Sequence, residues 1–303
     1  MTAPASTDIV DSAATPDAAG GGRGRLRLRK SSADRPGLLS NIGLGVVIAL
    51  FMAPLLITVF TSLRTPTEVA LDPLGLPIPA TFDNFVDAFK QMDYLVSVRN
   101  TAVIMLASVF ITVVFGALAA YPLARLTRRW TPWLYRSFIL GMTLPIFVII
   151  GPLYLLQRDL GLLNTWAGVI LTYVGINLPV AIFFYTSFLR QVPIEVEEAA
   201  ELDGAGPFRT FRVVVFPLLQ PITATLGIFI ALGVWNDLVL PLVFLRDPGL
   251  RTVMVNAYSN INPNAVDPTT LFPAAILGVL PLVLVFALMQ RRVVQGLTLG
   301  SVK

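Results

Sequence analysis

No cysteine and no histidine occur among the 303 residues. The first absence excludes disulfide staples and thiolate chemistry. The second removes the commonest near-neutral acid or base and the commonest metal ligand, leaving only carboxylates for any metal centre. A Gly-x-x-x-x-Gly-Lys-Ser/Thr loop is also missing, so the usual backbone cradle for nucleotide phosphates is lacking and ATP hydrolysis is not expected of this chain. Charge is scarce as well: 13% of residues are Asp, Glu, Lys or Arg, against 55% hydrophobic, and the mean hydropathy is +0.75. Such a balance excludes an ordinary soluble domain and places the chain in the membrane class, where counting domains by length does not apply.

What is present is a series of long apolar runs. Six spans are predicted at roughly 39–60, 99–122, 134–156, 166–188, 217–240 and 271–290, each long enough at 1.5 Å per residue for a hydrocarbon core of about 30 Å. The expected fold is an all-α integral membrane protein. Pro54, Pro122, Pro145, Pro152, Pro179, Pro221 and Pro281 interrupt these runs, which points to a transporter bundle with bent helices rather than a passive anchor.

Orientation follows from positive charge. With a cytoplasmic N-terminus, that side receives Arg23, Arg25, Arg27, Arg29, Lys30 and Arg35, then Arg125, Arg128, Arg129 and Arg136, then Arg190, Arg209 and Arg212, and finally Arg291, Arg292 and Lys303. The other side receives Arg64, Lys90, Arg99, Arg158, Arg246 and Arg251. Sixteen against six puts both termini inside. Residues 1–37 read as a disordered basic cytoplasmic tail, its RLRLRK stretch a flank attracted to anionic lipid rather than a nucleic-acid arm. On the outer side, Phe82, Phe85 and Phe89 share one helical face of TFDNFVDAFKQMDYL, an amphipathic helix at the interface. Asn100, at the entry to the second span, is expected to hydrogen-bond across helices, because an unpaired amide in hydrocarbon is costly.

The densest acidic cluster lies at RQVPIEVEEAAELDGAGPFRTFRVVVFPLLQP, residues 190–221, where Glu195, Glu197, Glu198, Glu201 and Asp203 fall within nine residues. The cluster is expected in water. Helix formers run to Asp203, Gly204 and Gly206 break them, and Pro207 opens a second helix whose Phe208, Phe211 and Val215 recur on one face. This stretch resembles the cytoplasmic loop of the inner-membrane permeases of binding-protein-dependent ABC importers. Their pattern is Glu-Ala-Ala, three residues, Gly, nine residues, an aliphatic residue, one more, Leu and Pro. Glu198, Ala199, Ala200, Gly204, Val214 and Pro217 match it, while Phe216 stands where the family usually has Leu. The neighbouring residues EAAELDGAGPFRTF are most similar to the carbohydrate branch, in its maltose-permease-like subfamily.

The resemblance covers about residues 38–303 and implies a six-helix permease domain with a cytoplasmic coupling loop at 190–216. It implies that Glu198, Ala199, Ala200, Asp203, Gly204 and Pro217 couple to an ATPase subunit. The implied assembly has a second permease subunit, two ATPases that bind ATP and magnesium, an extracytoplasmic solute-binding protein and a carbohydrate cargo, in a bacterial plasma membrane. No cofactor is expected in this chain. The stretch GVWNDLVLPLVFLRD and the outer loop of about 241–264, with Arg251, Asn256 and Tyr258, resemble the region that reaches toward the binding protein. The terminus with Gln290, Gly296, Leu297, Thr298, Gly300, Val302 and Lys303 resembles the family's end, which reaches the nucleotide-binding partner. Tyr173, Asn177 and Tyr185 fall on one stripe of the fourth span and are candidates for the substrate path. Packing is the alternative reading for each. Permeation of amino acids or peptides, secondary transport and a non-transport scaffold are the functional alternatives.

Overall fold

The computed structural model describes residues 38–259 and 267–299, with side chains for 40–259 and 267–287. The basic tail, Asn260 to Asn264, and Gly300 to Lys303 lie outside the described residues, and from Gln290 to Leu299 only the helical backbone is described. Among the described residues every regular element is helical.

The chain divides into two units at Phe51 and Met52. The described part of the first is the opening of helix α1, Leu38–Ser62, whose apolar side chains are exposed, as a lipid-facing surface requires. In the second unit, α2 is Pro66–Leu71, α3 Asp83–Gln91 and α4 Tyr94–Arg125. Thr65 and Glu68 cap α2 reciprocally: the Thr65 N–H donates to the Glu68 carboxylate at 2.9 Å and the Glu68 N–H to the Thr65 hydroxyl at 3.4 Å. Those bonds favour the charged form and hold the Glu68 carboxyl below its ordinary range.

Helices α5, Thr131–Gly141, and α6, Ile146–Asp159, follow, and then α7, Trp166–Leu189, which Thr165 caps by accepting the Gly168 N–H at 3.1 Å. The acidic-loop sequence forms α8, Glu195–Leu202, and a continuous piece made of α9, Pro207–Thr210, a π-helical turn at Phe211–Val215, and α10, Phe216–Leu218. After it come α11, Gln220–Asn236; α12, Val239–Phe244; α13, Val253–Ser259; and α14, Pro268–Leu299.

Lipid is as apolar as leucine, so close packing and interhelical hydrogen bonds hold such a bundle together. The core runs along α4, α7 and α11 through Ile104, Ala117, Ala120, Val169, Ala181, Leu226 and Ile230. Small residues let α4 and α7 approach: a Cβ placed on Gly116 would sit 2.7 Å from the Ala181 Cβ. A second cluster of Ala88, Met92, Trp235, Val253 and Ala274 joins α3, α11, α13 and α14.

Four helices are long and apolar enough to cross a membrane as single rods, and counting two bent pairs as spans gives six. The third predicted span is the first pair, and the fifth takes in α11 and the break before it, while the rest of that pair, from Pro207, belongs to the 190–216 loop. The third breaks by 100° between α5 and α6, where Pro145 stands at the α6 N-cap in extended backbone and no helical turn continues through Met142 to Leu144. The fifth breaks by 71° at Leu219, between Pro217 and Pro221, each of which removes a helical N–H donor. It ends at Asn236 rather than 240, where extended backbone at Asp237 stops it.

Candidate functional site

At one end of α4 the acidic loop folds onto the bundle. Glu197 is 6% exposed, so the expectation that all five carboxylates lie in water is corrected at this residue. Its Oε1 accepts from Arg125 Nε at 2.8 Å and lies 2.7 Å from Nη2 in the ion pair, and its Oε2 accepts from the Tyr121 hydroxyl at 2.9 Å. Arg125 Nη2 also donates to the Val192 carbonyl at 3.0 Å. A buried carboxylate is tolerable only when paired and hydrogen-bonded, and both Glu197 oxygens are taken. Tyr121 and Arg125 lie four apart on the last turn of α4, on one face.

With Glu197 as the anchor, the opposite face of α8 points away from the bundle. Glu195, Glu198, Ala199, Glu201 and Asp203 are exposed, and Ala200 is half-buried. Gly204 follows with φ of +82°, a left-handed turn that a Cβ would strain, and Gly206 leads into Pro207 at the first position of α9. Beyond the turn Phe211, Val215 and Leu219 are buried, whereas Phe208, expected on the same face, is 70% exposed. The expected apolar stripe is therefore displaced toward the later residues, through the π-helical turn. Pro217 is exposed. Leu202 is 90% exposed at the tip of α8. The outward face thus combines carboxylates, small side chains and bare hydrophobic groups, Leu202 and Phe208 the most exposed, a surface suited to docking against a partner. Sequence reasoning left Leu202 out because a single leucine before a turn carries no periodic signal.

The other end of α4 is joined to the segment that follows α12. Asn100, fully buried, donates to the carbonyls of Gly249 at 2.9 Å and Arg251 at 3.1 Å. The Thr101 hydroxyl accepts the Val253 N–H at 2.9 Å. The expected amide bond of Asn100 exists, and its partners are loop carbonyls rather than another span. Asn164, with φ of +59°, binds the same segment by accepting the N–H groups of Arg246 and Asp247 at 2.9 and 2.8 Å.

The family described as "Binding-protein-dependent transport system inner membrane component" matches residues 112–299, a stretch that contains the whole of this loop. The chain belongs to that family. It is 32% identical over 277 residues to the diacetylchitobiose uptake system permease protein NgcG of Streptomyces coelicolor, covering 91% of this chain and 92% of that one. To the melibiose/raffinose/stachyose import permease protein MelC of Bacillus subtilis it is 33% identical over 259 residues, covering 85% and 94%. A chain of a bacterial ABC transporter involved in the import of the acidic polysaccharide alginate shares the fold, with a TM-score of 0.70 at 22% identity over 84% of this chain and 95% of that one. As an inner membrane component of such a system, the permease is a multi-pass transport subunit and not an enzyme.

In this permease the two candidate tyrosines of α7 bond toward α11 and its C-terminal end, whereas Asn177 bonds within α7. The Tyr173 hydroxyl donates to Asp237 Oδ2 at 2.9 Å, Tyr185 shares a hydrogen bond with Thr223 at 2.9 Å, and the Asn177 amide donates to the Tyr173 carbonyl at 2.8 Å. Tyr173 and Tyr185 are buried and Asn177 is half-buried. A separate cleft of about 390 Å³ opens on another face of α7, lined by Met142, Ile146, Leu153, Thr172, Ile176 and Pro179 at the break between α5 and α6. Trp235 is buried and donates its indole N–H to the Gly278 carbonyl at 3.1 Å. Among the residues expected to face a binding protein, Tyr258 is 48% exposed and Arg251 is half-buried. Asn256 is turned inward, its amide donating to the Met92 carbonyl at 2.9 Å and Ser97 Oγ at 2.7 Å, so its place in the chain is that of a buried tie.

Proposed function

We propose that this permease is one of two transmembrane subunits of an ATP-driven sugar importer, forming half of the translocation pathway. The observation that carries the sugar assignment is the pair of relatives named for oligosaccharide uptake and import, at 32% and 33% identity over most of both chains. Both termini and the loop at 190–216 are cytoplasmic. Two ATPase subunits, which bind ATP and magnesium, receive the exposed face of α8: Glu198 meets a basic side chain, Ala199 and Ala200 permit close approach, Asp203 and Gly204 shape the turn, and Pro217 fixes the exit of the second helix. Closure of the ATPases on nucleotide pushes this loop and shifts the bundle from inward-open toward outward-open. On the other side the segment with Arg251 and Tyr258 faces a solute-binding protein that delivers the sugar.

The deciding experiment takes the binding protein that copurifies with the permease complex and measures its affinity for mono- and oligosaccharides, amino acids, short peptides and polyamines. Sugar-selective binding, with sugar-stimulated ATP hydrolysis in the reconstituted complex, is the expected result. Exclusive binding of amino acids or peptides, coupled to their uptake, overturns the sugar assignment and leaves the importer standing.

A further inference from the structure

We infer that α4 is the rod that carries movement between the ATPase side and the binding-protein side, gripped at each end by a buried polar joint. The inference rests on the proposed docking of α8 to the ATPase. Its inner joint is Glu197 with Arg125 and Tyr121, at 2.7 to 2.9 Å. This joint also holds the chain on both sides of α8: Arg125 reaches back to Val192, and the Tyr121 ring stands 5.3 Å from that of Phe211 in the second loop helix. A push on α8 therefore cannot move the loop without moving the last turn of α4. The outer joint is Asn100 and Thr101, which take the backbone of Gly249, Arg251 and Val253; Asn256 closes it by donating to Met92 and Ser97 beside the start of α4.

Between the joints α4 is unbroken helix, and Asn100 and Arg125 are separated along it by roughly 37 Å at 1.5 Å per residue. The rod bears on the rest of the bundle where Gly116 meets Ala181 and Tyr185 of α7. In a low-dielectric setting a carboxylate stripped of its partner is costly. The inner joint therefore resists opening and transmits displacement, as an exposed ion pair would not. Glu197, Arg125, Asn100 and Thr101 are positioning residues on this account: none need touch cargo or nucleotide.

The test uses the complete importer complex in proteoliposomes with its loaded binding protein, comparing Glu197→Gln, Asn100→Leu and the exchange of Arg125→Glu with Glu197→Arg. ATPase retention, basal hydrolysis and stimulation by the loaded binding protein are measured for each. The expected result is that Glu197→Gln and Asn100→Leu keep the ATPase bound and hydrolysing but lose stimulation by about fivefold or more, the lower end of ordinary coupling between sites. The exchange variant recovers part of the stimulation, which general loss of stability would not allow. Stimulation within twofold of the parent in either single variant overturns the rod. If a single variant does not accumulate in the membrane, Tyr121→Phe replaces it at the inner joint and Thr101→Val at the outer, each removing one hydrogen bond and no charge, and unchanged stimulation there overturns the inference equally. Failure of the docking reading is separate: it shows as ATPase retention that no substitution on the exposed face of α8 can weaken.

Discussion

Glu198 is exposed and makes no side-chain hydrogen bond among the described residues, so reversing its charge costs α8 itself only about 0.3–1 kcal/mol through the dipole of its first turn and tests chiefly what the loop meets. Glu198→Lys is expected to weaken retention of the ATPase by about 2–5 kcal/mol, the cost of disrupting a desolvated interfacial charge pair. Gly204 tests the turn. Nothing lies within 4 Å of a Cβ built there, and φ is +82°, so steric room is ample and the backbone alone objects. Gly204→Val is expected to cost the loop about 1–2 kcal/mol and Gly204→Ala less, because a β-branched side chain is the worst at positive φ. Copurification and the dissociation constant of the ATPase check both, and unaltered retention in both overturns docking. The sequence marked this turn through its glycine and the helix restart at Pro207. It did not mark Glu197, because five neighbouring acids look alike until something selects one. The selecting residues, Tyr121 and Arg125, are far away in sequence; their spacing of four at the inner end of a span was the available signal, and only the packing of α8 on that turn decides which acid they take.

At the scale of helices, length and hydropathy found every apolar segment, while the two bends came from something finer. Pro145 and the Pro217 to Pro221 stretch were visible as interruptions, but a proline inside a helix also occurs without a break: α7 runs through Pro179 and α14 through Pro273 and Pro281. Whether neighbouring helices satisfy the freed carbonyls is a tertiary matter that spacing does not reveal. The contact between α4 and α7 has the same character. Gly116 resembles any glycine in a span, yet a Cβ there would meet Ala181 at 2.7 Å, whereas Gly233 on α11 faces open space. Gly116→Ala is therefore expected to push the two helices apart and destabilise the complex by about 1–3 kcal/mol, the usual cost of overpacking. Gly233→Ala is expected to be neutral or to stabilise through higher helix propensity. Thermal unfolding of the detergent-solubilised complex separates the two, and a midpoint for Gly116→Ala equal to or above the parent's contradicts the packing argument.

For the whole molecule the question is which end of α4 faces the cytoplasm. The structure puts the loop of α8 at one end, through Arg125 and Glu197, and the segment Gly249 to Val253 at the other, through Asn100 and Thr101. The roughly 37 Å of helix between them exceeds a hydrocarbon core of about 30 Å, so the two polar regions are expected on opposite faces of the membrane. Positive charge then gives the expected sense. Arg125, Arg128, Arg129, Arg136, Arg190, Arg209 and Arg212 accompany the α8 end in the chain and Arg64, Lys90, Arg99, Arg158, Arg246 and Arg251 the other, and the basic tail and C-terminus bring the first count to sixteen against six. The positive-inside rule counts lysine and arginine and ignores the acids of α8, so it predicts the α8 end to be cytoplasmic, the orientation proposed above. The absence of cysteine makes this directly measurable: Thr127→Cys and Ser259→Cys each introduce one thiol at an exposed position. Treatment of sealed cells with an impermeant maleimide that reaches the outer face of the plasma membrane is expected to label Ser259→Cys and to spare Thr127→Cys until that membrane is permeabilised. Labelling of Thr127→Cys alone in sealed cells reverses the orientation, and with it the assignment of α8 to the ATPase and of Tyr258 to the binding protein.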